Sequence, residues 1–261
     1  STVLRHAGGV RVDHILGLFR LYWIPRMASP LTGTYVSYDF EAMVGILALE
    51  AQRAGAVVIG EDLGTVEPWV QDVLAQKAVL GTSIVWFEHD DDDYSPLPLE
   101  KYRQLALSSV NTHDLPPTLA YLRGDHISLR AHLGVLTRSV EEEQRDDIEW
   151  QARVLAAVAD RGLLPQRDYL VDPDERASRG AEEDISEALH RYIAGTPSAL
   201  ACTSLVDMVG DVRAQNQPGT THDLYPNWCV PLCDTNGAAL LIEDLPNLEF
   251  FQRLEATSRK A

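Results

Sequence analysis

Three short stretches of this chain put carboxylates where they could do chemistry: Arg11-Val12-Asp13-His14, Gly60-Glu61-Asp62-Leu63-Gly64 and Asn111-Thr112-His113-Asp114. Each follows an apolar run of strand character, so Asp13, Glu61 and Asp114 are expected at the carboxyl ends of three strands. Alternation along a strand sends Arg11 and Asp13 to one side, where the guanidinium can keep the carboxylate ionised and in position. Taken alone, that is an ordinary strand-end ion pair. Three carboxylates on one rim narrow the chemistry to two routes. In retaining glycoside chemistry one carboxylate attacks the sugar carbon, a second protonates the leaving oxygen and a third supports the oxocarbenium-like transition state. The alternative is a divalent metal held by strand-end carboxylates. Arg11 favours the first, because a cation beside Asp13 prepares a nucleophile but would compete with a metal. Asp62 beside Glu61 suits the same route, since a negative neighbour helps a proton donor keep its proton. Tyr22, Trp23, Tyr35, Trp86 and Trp228 could stack on the apolar faces of sugar rings, although each taken alone reads first as core.

The elements that must position these groups alternate between strand and helix. Phe40 to Ala54 has apolar residues at helical spacing with Gly55 as its stop, and Pro68 to Lys77 is a second helix. Ala56 to Gly60 is a short, wholly apolar run typical of a buried parallel strand. Thr82 to Phe87, Ser108 to Asp114 and Ala199 to Val206 are further strands. Ile15 to Pro25 reads as a loop or short helix, Met27 to Asp39 as an irregular excursion, and the acidic run Asp90 to Asp93 as a solvated loop. Between residues 127 and 194 strand signals vanish, and helical patterns such as Val140 to Ala159 and Glu182 to Tyr192 take over; Leu245 to Leu254 is a helical tail.

The expected fold is therefore α/β, with polar residues gathered at the carboxyl ends of a parallel sheet. About five β/α units can be counted, whereas a closed (β/α)8 TIM barrel has eight; the chain reads as the C-terminal portion of such a barrel with a helical insertion. Residues 1–126 would be the partial barrel (strands 4–7 of the parent), 127–194 the insertion, and 195–261 the last barrel strand, a substrate loop and the C-terminal helix. The first residue is serine, and so few residues precede the first strand that an N-terminal barrel half is expected elsewhere. Without it, the chain is expected to be unstable or to dimerise, because sheet edges and helix faces would be left bare.

Composition limits the partners. A net charge of −17 and a pI near 4.7 disfavour nucleic acid and anionic membranes and suit a neutral substrate. Hydrophobic residues make up 45% of the chain, enough for a substantial core, yet no apolar run approaches the roughly 20 residues that span a bilayer. Without a leader-like start either, a cytoplasmic protein is expected. Cys202, Cys229 and Cys233 lack paired spacing, so they are expected as reduced thiols rather than a disulfide framework or zinc site.

In their order, the three carboxylate blocks resemble the catalytic blocks of the 4-α-glucanotransferases, the amylomaltase or disproportionating-enzyme family related to the α-amylases. Tyr22-Trp23-Ile24-Pro25, Gly33-Thr34-Tyr35-Val36, Asn216-Gln217-Pro218-Gly219-Thr220 and Tyr225-Pro226-Asn227-Trp228 extend the resemblance over nearly the whole chain. The resemblance implies Asp13 as nucleophile, Glu61 as general acid and base, and Asp114 as transition-state stabiliser. It further implies Arg11 and His113 as binders of the reacting sugar, with Asn216 and Trp228 lining the cleft. It implies no metal and no organic cofactor, with an α-1,4-glucan or maltooligosaccharide as donor and the 4-hydroxyl of another sugar as acceptor. The chain departs from the family in lacking the preceding β/α units, in carrying Asn111 where some members have glycine, and in lacking basic residues in Trp228-Cys229-Val230-Pro231. An amylase-type α-glucan hydrolase, a non-catalytic glucan-binding module and, more distantly, a metal-dependent enolase-type enzyme are the alternatives.

Overall fold

The computed structural model describes residues 2–258; Ser1 and Arg259 to Ala261, the ends of the outermost expected segments, lie outside the described residues. The chain divides into two compact units. The first takes the chain up to Ser83 with Arg103–Leu107 and Ser198–Leu200, and the second takes Ile84–Tyr102, Ser108–Pro197 and the chain from Ala201 onward.

In the first unit, β1 (Gly9–Val12) lies parallel to a later strand, reached through an antiparallel hairpin, β2 (Arg20–Trp23) with β3 (Thr34–Ser37), and through α1 (Phe40–Ala54). That later strand is β4 (Val57–Gly60), followed by α2 (Pro68–Gln76) and β5 (Gly81–Ile84). The β1–β4 register pairs Gly9 with Val57 and Val12 with Gly60. Main-chain bonds carry the order onward: Gly60 N–H donates to Leu80 O (2.7 Å), Gly81 N–H to Leu105 O (2.9 Å) and Ala199 N–H to Gln104 O (2.8 Å). Leu105 immediately precedes β6 (Ala106–Ser109), and Ala199 immediately precedes β7 (Leu200–Cys202). β5, β6 and β7 form a three-stranded sheet in that order.

Helix α1 forms where its spacing predicts, because both ends are satisfied. Asp39 accepts from Ala42 N–H at 3.1 Å, and Gly55 turns left-handed at φ 60°. Its Val44 and Ala51 pack with Leu4, Ile15, Phe19, Val58, Val70, Leu74 and Val79 into the core of this unit. Gly60 has to be glycine for that core to close, since a Cβ there would sit 2.9 Å from a side-chain carbon of Ile15. The short helix expected after His14 is present as a 3-10 turn at Ile15–Leu18, whereas the hairpin β2–β3 replaces the rest of that stretch and the irregular excursion expected up to Asp39. Its strands are mostly exposed, so no alternation of buried and open positions marks them, and the ten residues between them carry the turn signals.

The second unit is mainly helical: α3 (Thr118–Arg123), α4 (Asp125–His132), α5 (Val140–Asp160), α6 (Glu182–Ala194), α7 (Leu205–Val209) and α8 (Glu249–Ser258). A capping box, Ser139 with Glu142, starts α5, and its Ile148, Ala152, Leu155 and Ala159 fall on one buried stripe. Buried charge is paired beside that stripe. Arg176 meets Asp147 at 2.7 Å, and Arg179 donates to Gln151 Oε1 at 2.8 Å. The expected strand Ala199 to Val206 is shorter: after Cys202, Ser204 accepts from Asp207 N–H and opens α7 instead. The strand expected at Thr82 to Phe87 likewise ends at Ile84. Among the described residues no helix is long and apolar enough to cross a membrane.

Candidate active site

In the first unit Asp13 and Glu61 each come one residue past a strand, β1 and β4. The ladder continues around them, with Glu61 N–H donating to Val12 O and Ile15 N–H to Glu61 O, both at 2.9 Å. Arg11 Nη1 donates to Asp13 Oδ1 at 2.7 Å, the pairing expected from strand alternation, and the Asp13 side chain stays 67% exposed. The chain then turns at His14, left-handed at φ 48°, and this turn aims His14 N–H at Glu61 Oε2 (2.8 Å). Glu61 Oε1 accepts from Leu63 N–H at 2.7 Å. Two main-chain donors thus fix the Glu61 carboxylate, a restraint that residue types alone could not show.

Asp62 departs from its expected role. Its side chain is 1% exposed and accepts from Thr82 N–H (2.8 Å) and from both terminal nitrogens of Arg103 (2.6 and 3.3 Å). The Asp62 carboxylate is taken up by an arginine fork and does not stand free beside Glu61.

The second unit gathers Asp114, His113, Asn216 and Trp228. Asn216 Nδ2 donates to Asp114 Oδ1 at 2.6 Å, and His113 Nε2 lies 3.4 Å from Asp114 Oδ2. The His113 ring lies 5.0 Å from that of Trp228. Asp114 is not at a strand end: it lies five residues beyond β6, in a turn where its N–H bonds Thr112 Oγ1 (3.2 Å). The two loop motifs lock together, since Asn227 Oδ1 accepts from Gln217 N–H (2.7 Å) and its Nδ2 donates to Thr220 Oγ1 (2.9 Å). This leaves Trp228 left-handed at φ 62°, held by its N–H to Gln215 O (2.8 Å), with the residue 63% exposed.

The five aromatic candidates separate. Tyr22, Trp23, Tyr35 and Trp228 are open to solvent, whereas Trp86 is buried with its ring 4.5 Å from Tyr121 and is core. Cys202, Cys229 and Cys233 are not joined in disulfides. Among the described residues no group of three or more His, Cys, Asp or Glu is placed to hold a metal.

An α/β chain carrying such carboxylates, one prepared by an arginine and one by main-chain N–H groups, has the parts of a carbohydrate-active enzyme. Residues 1–235 match the 4-alpha-glucanotransferase family, glycoside hydrolase 77, and the chain belongs to that family. It is 53% identical over 267 aligned positions to a 4-alpha-glucanotransferase of Mycobacterium tuberculosis, covering all of this chain and 34% of that protein. A Haemophilus influenzae 4-alpha-glucanotransferase is 29% identical, over 88% of this chain and 32% of the relative. The crystal structure of amylomaltase from Corynebacterium glutamicum superposes with a TM-score of 0.94 at 57% identity, over all of this chain and 37% of that one. The chain thus spans about a third of the length of the curated relatives it matches.

Proposed function

We propose that this chain supplies the catalytic carboxylates of a 4-α-glucanotransferase acting in the cytoplasm, which moves an α-1,4-glucan segment to the 4-hydroxyl of an acceptor sugar. In this reading β1, β4, β5, β6 and β7 are successive staves of a (β/α)8 barrel whose other units belong to the rest of the protein. Residues 1–126 are the partial barrel, 127–194 a helical insertion, and 195–261 the last barrel strand, a substrate loop and the C-terminal helix. Asp13 attacks the anomeric carbon while Glu61 gives its proton to the departing glycosidic oxygen, leaving a covalent glucosyl-enzyme. The acceptor 4-hydroxyl then enters as Glu61 takes its proton, and the second displacement restores the original configuration. Asp114 stabilises the oxocarbenium-like transition state; Arg11 and His113 bind the reacting sugar, and Asn216 and Trp228 line the cleft. The reaction uses these side chains and no metal or organic cofactor.

The observation that carries this reading is the placement of Asp13 and Glu61 one residue past paired parallel strands, with Val12 in register with Gly60. Neighbouring strands run about 4.8 Å apart, close to the separation of about 5–5.5 Å that retaining enzymes hold between their two carboxyl groups. The test is the product pattern from maltotriose, resolved by chain length, with the full-length protein and its Asp13→Asn variant. Glucose with a ladder of longer maltooligosaccharides, lost in the variant, is the expected result. Only shorter sugars would make the protein a hydrolase, and glucan binding without turnover, unchanged by the variant, would make it a binding module.

A further inference from the structure

Asp62 and Arg103 form a built device with no part in the mechanism above. Asp62 is the middle residue of the turn whose two ends are the Glu61 carboxylate and the Leu63 N–H that binds it. The Asp62 side chain is buried, where Thr82 N–H and the Arg103 fork hold it. Arg103 also donates to Thr82 O, and Thr82 Oγ1 donates to Gly60 O at 3.1 Å, so the clamp closes back on the last residue of β4. Gly81 leaves room for it: a Cβ there would collide with Arg103 Nη1 and lie 2.9 Å from Asp62 Oδ2. A buried carboxylate and an arginine 41 residues away, over a position open only to glycine, fix the backbone directly after Glu61.

We infer that the Asp62–Arg103 pair is the positioning device of the residue proposed as general acid and base: it sets the Glu61–Leu63 turn so that the Glu61 carboxyl meets the leaving oxygen. The inference rests on the proposed role of Glu61, and its test is chosen to separate the two. With maltotriose the leaving oxygen needs a proton. With α-maltosyl fluoride the C1–F bond breaks as the bond to Asp13 forms, and fluoride departs unprotonated. In the full-length enzyme, Asp62→Asn is expected to lower kcat on maltotriose roughly 100-fold, as for an acid displaced by about 1 Å, with KM little changed. Release of fluoride in the first turnover of the activated donor, before Glu61 has to act as base, should fall less than about 5-fold, because its departure draws little on the acid.

Gly81→Ala is expected to show the same split, and Arg103→Lys, which keeps a cation at the carboxylate but loses the fork, to fall between Asp62→Asn and wild type. Equal losses on both donors, no loss on either, or failure of even Arg103→Lys to fold would overturn the inference and make the pair a folding element. Glu61→Gln is the reference for the role itself. If it loses both donors equally, the assignment of Glu61 fails; if it spares the fluoride and Asp62→Asn does not, only the positioning device fails.

Discussion

At the scale of single residues, Arg11 and Trp228 make the sharpest predictions. The Arg11 guanidinium pairs with the carboxylate proposed as nucleophile, and the pair is open to solvent, so its removal should cost function and little stability. Arg11→Met is expected to lower kcat about 100-fold, the order of one oriented donor at a reacting centre, with the melting temperature held; a fall in melting temperature with kcat intact would refute the assignment. Trp228 presents the opposite balance. A tryptophan held left-handed costs on the order of 1 kcal/mol, which glycine would recover. Trp228→Gly is therefore expected to melt no lower than wild type while raising KM for maltooligosaccharides, checked by a thermal scan beside steady-state kinetics. The Arg11–Asp13 pairing is legible in the sequence because a period of two relates neighbours. That Asp62 belongs to Arg103 is not, since alternation says only which way a side chain leaves the strand and nothing about a partner 41 residues on.

Among elements, helices were readable and exposed strands were not. α1, α5 and α6 follow their apolar spacing to within a residue or two of the expected ends, and caps such as Gly55 and the Ser139–Glu142 box announce those ends locally. The β2–β3 hairpin escaped because its faces are open, and β7 stops short because Ser204 captures the next helix. Ser139→Ala is expected to cost about 1 kcal/mol of stability in denaturant unfolding, the usual loss with such a cap. Helix α4 gives a pH dependence. His126 is partly buried, its side chain 13% exposed and its ring stacked 4.8 Å from Tyr121, and burial pulls its pKa down, outweighing the nearby Asp147 carboxylate. The unfolded chain takes up the proton as pH falls through about 6.5 while the folded chain resists it. The stability His126 contributes is thus present above that pH and lost below it. Asp125, whose pKa burial raises above the usual aspartate value, acts in the opposite sense nearer that lower value. Between about pH 7 and pH 5, the melting temperature should fall less in His126→Phe, which keeps the stacked ring, than in wild type; parallel curves would refute this.

For the molecule as a whole, the argument concerns surface. In the first unit Met27 and Leu31 are almost fully open, at 96% and 94%, and Trp23, Tyr35, Ile46 and Leu49 are also exposed; in the second, Leu241 and Ile242 are. Scattered apolar residues are ordinary, but a hairpin bearing Leu21, Tyr22, Trp23, Ile24 and Tyr35 in the open is a patch that water disfavours. The reading of the chain as part of a barrel expects bare surface, because each stave of a barrel would have a neighbour on both sides. Against association stands the charge of −17, which repels a second copy at low ionic strength. The two tendencies differ in their response to salt: the Debye length shrinks from about 30 Å at 0.01 M to about 3 Å at 1 M, while apolar attraction is not screened. Residues 1–261 produced alone are therefore expected to move from monomer toward dimer and larger species as sodium chloride is raised, followed by sedimentation velocity, and to bind a hydrophobic dye more strongly than the full-length protein. A chain that stays monomeric at high salt and melts in one sharp transition without binding dye would show that the open apolar residues are tolerated singly and are not an unfilled interface.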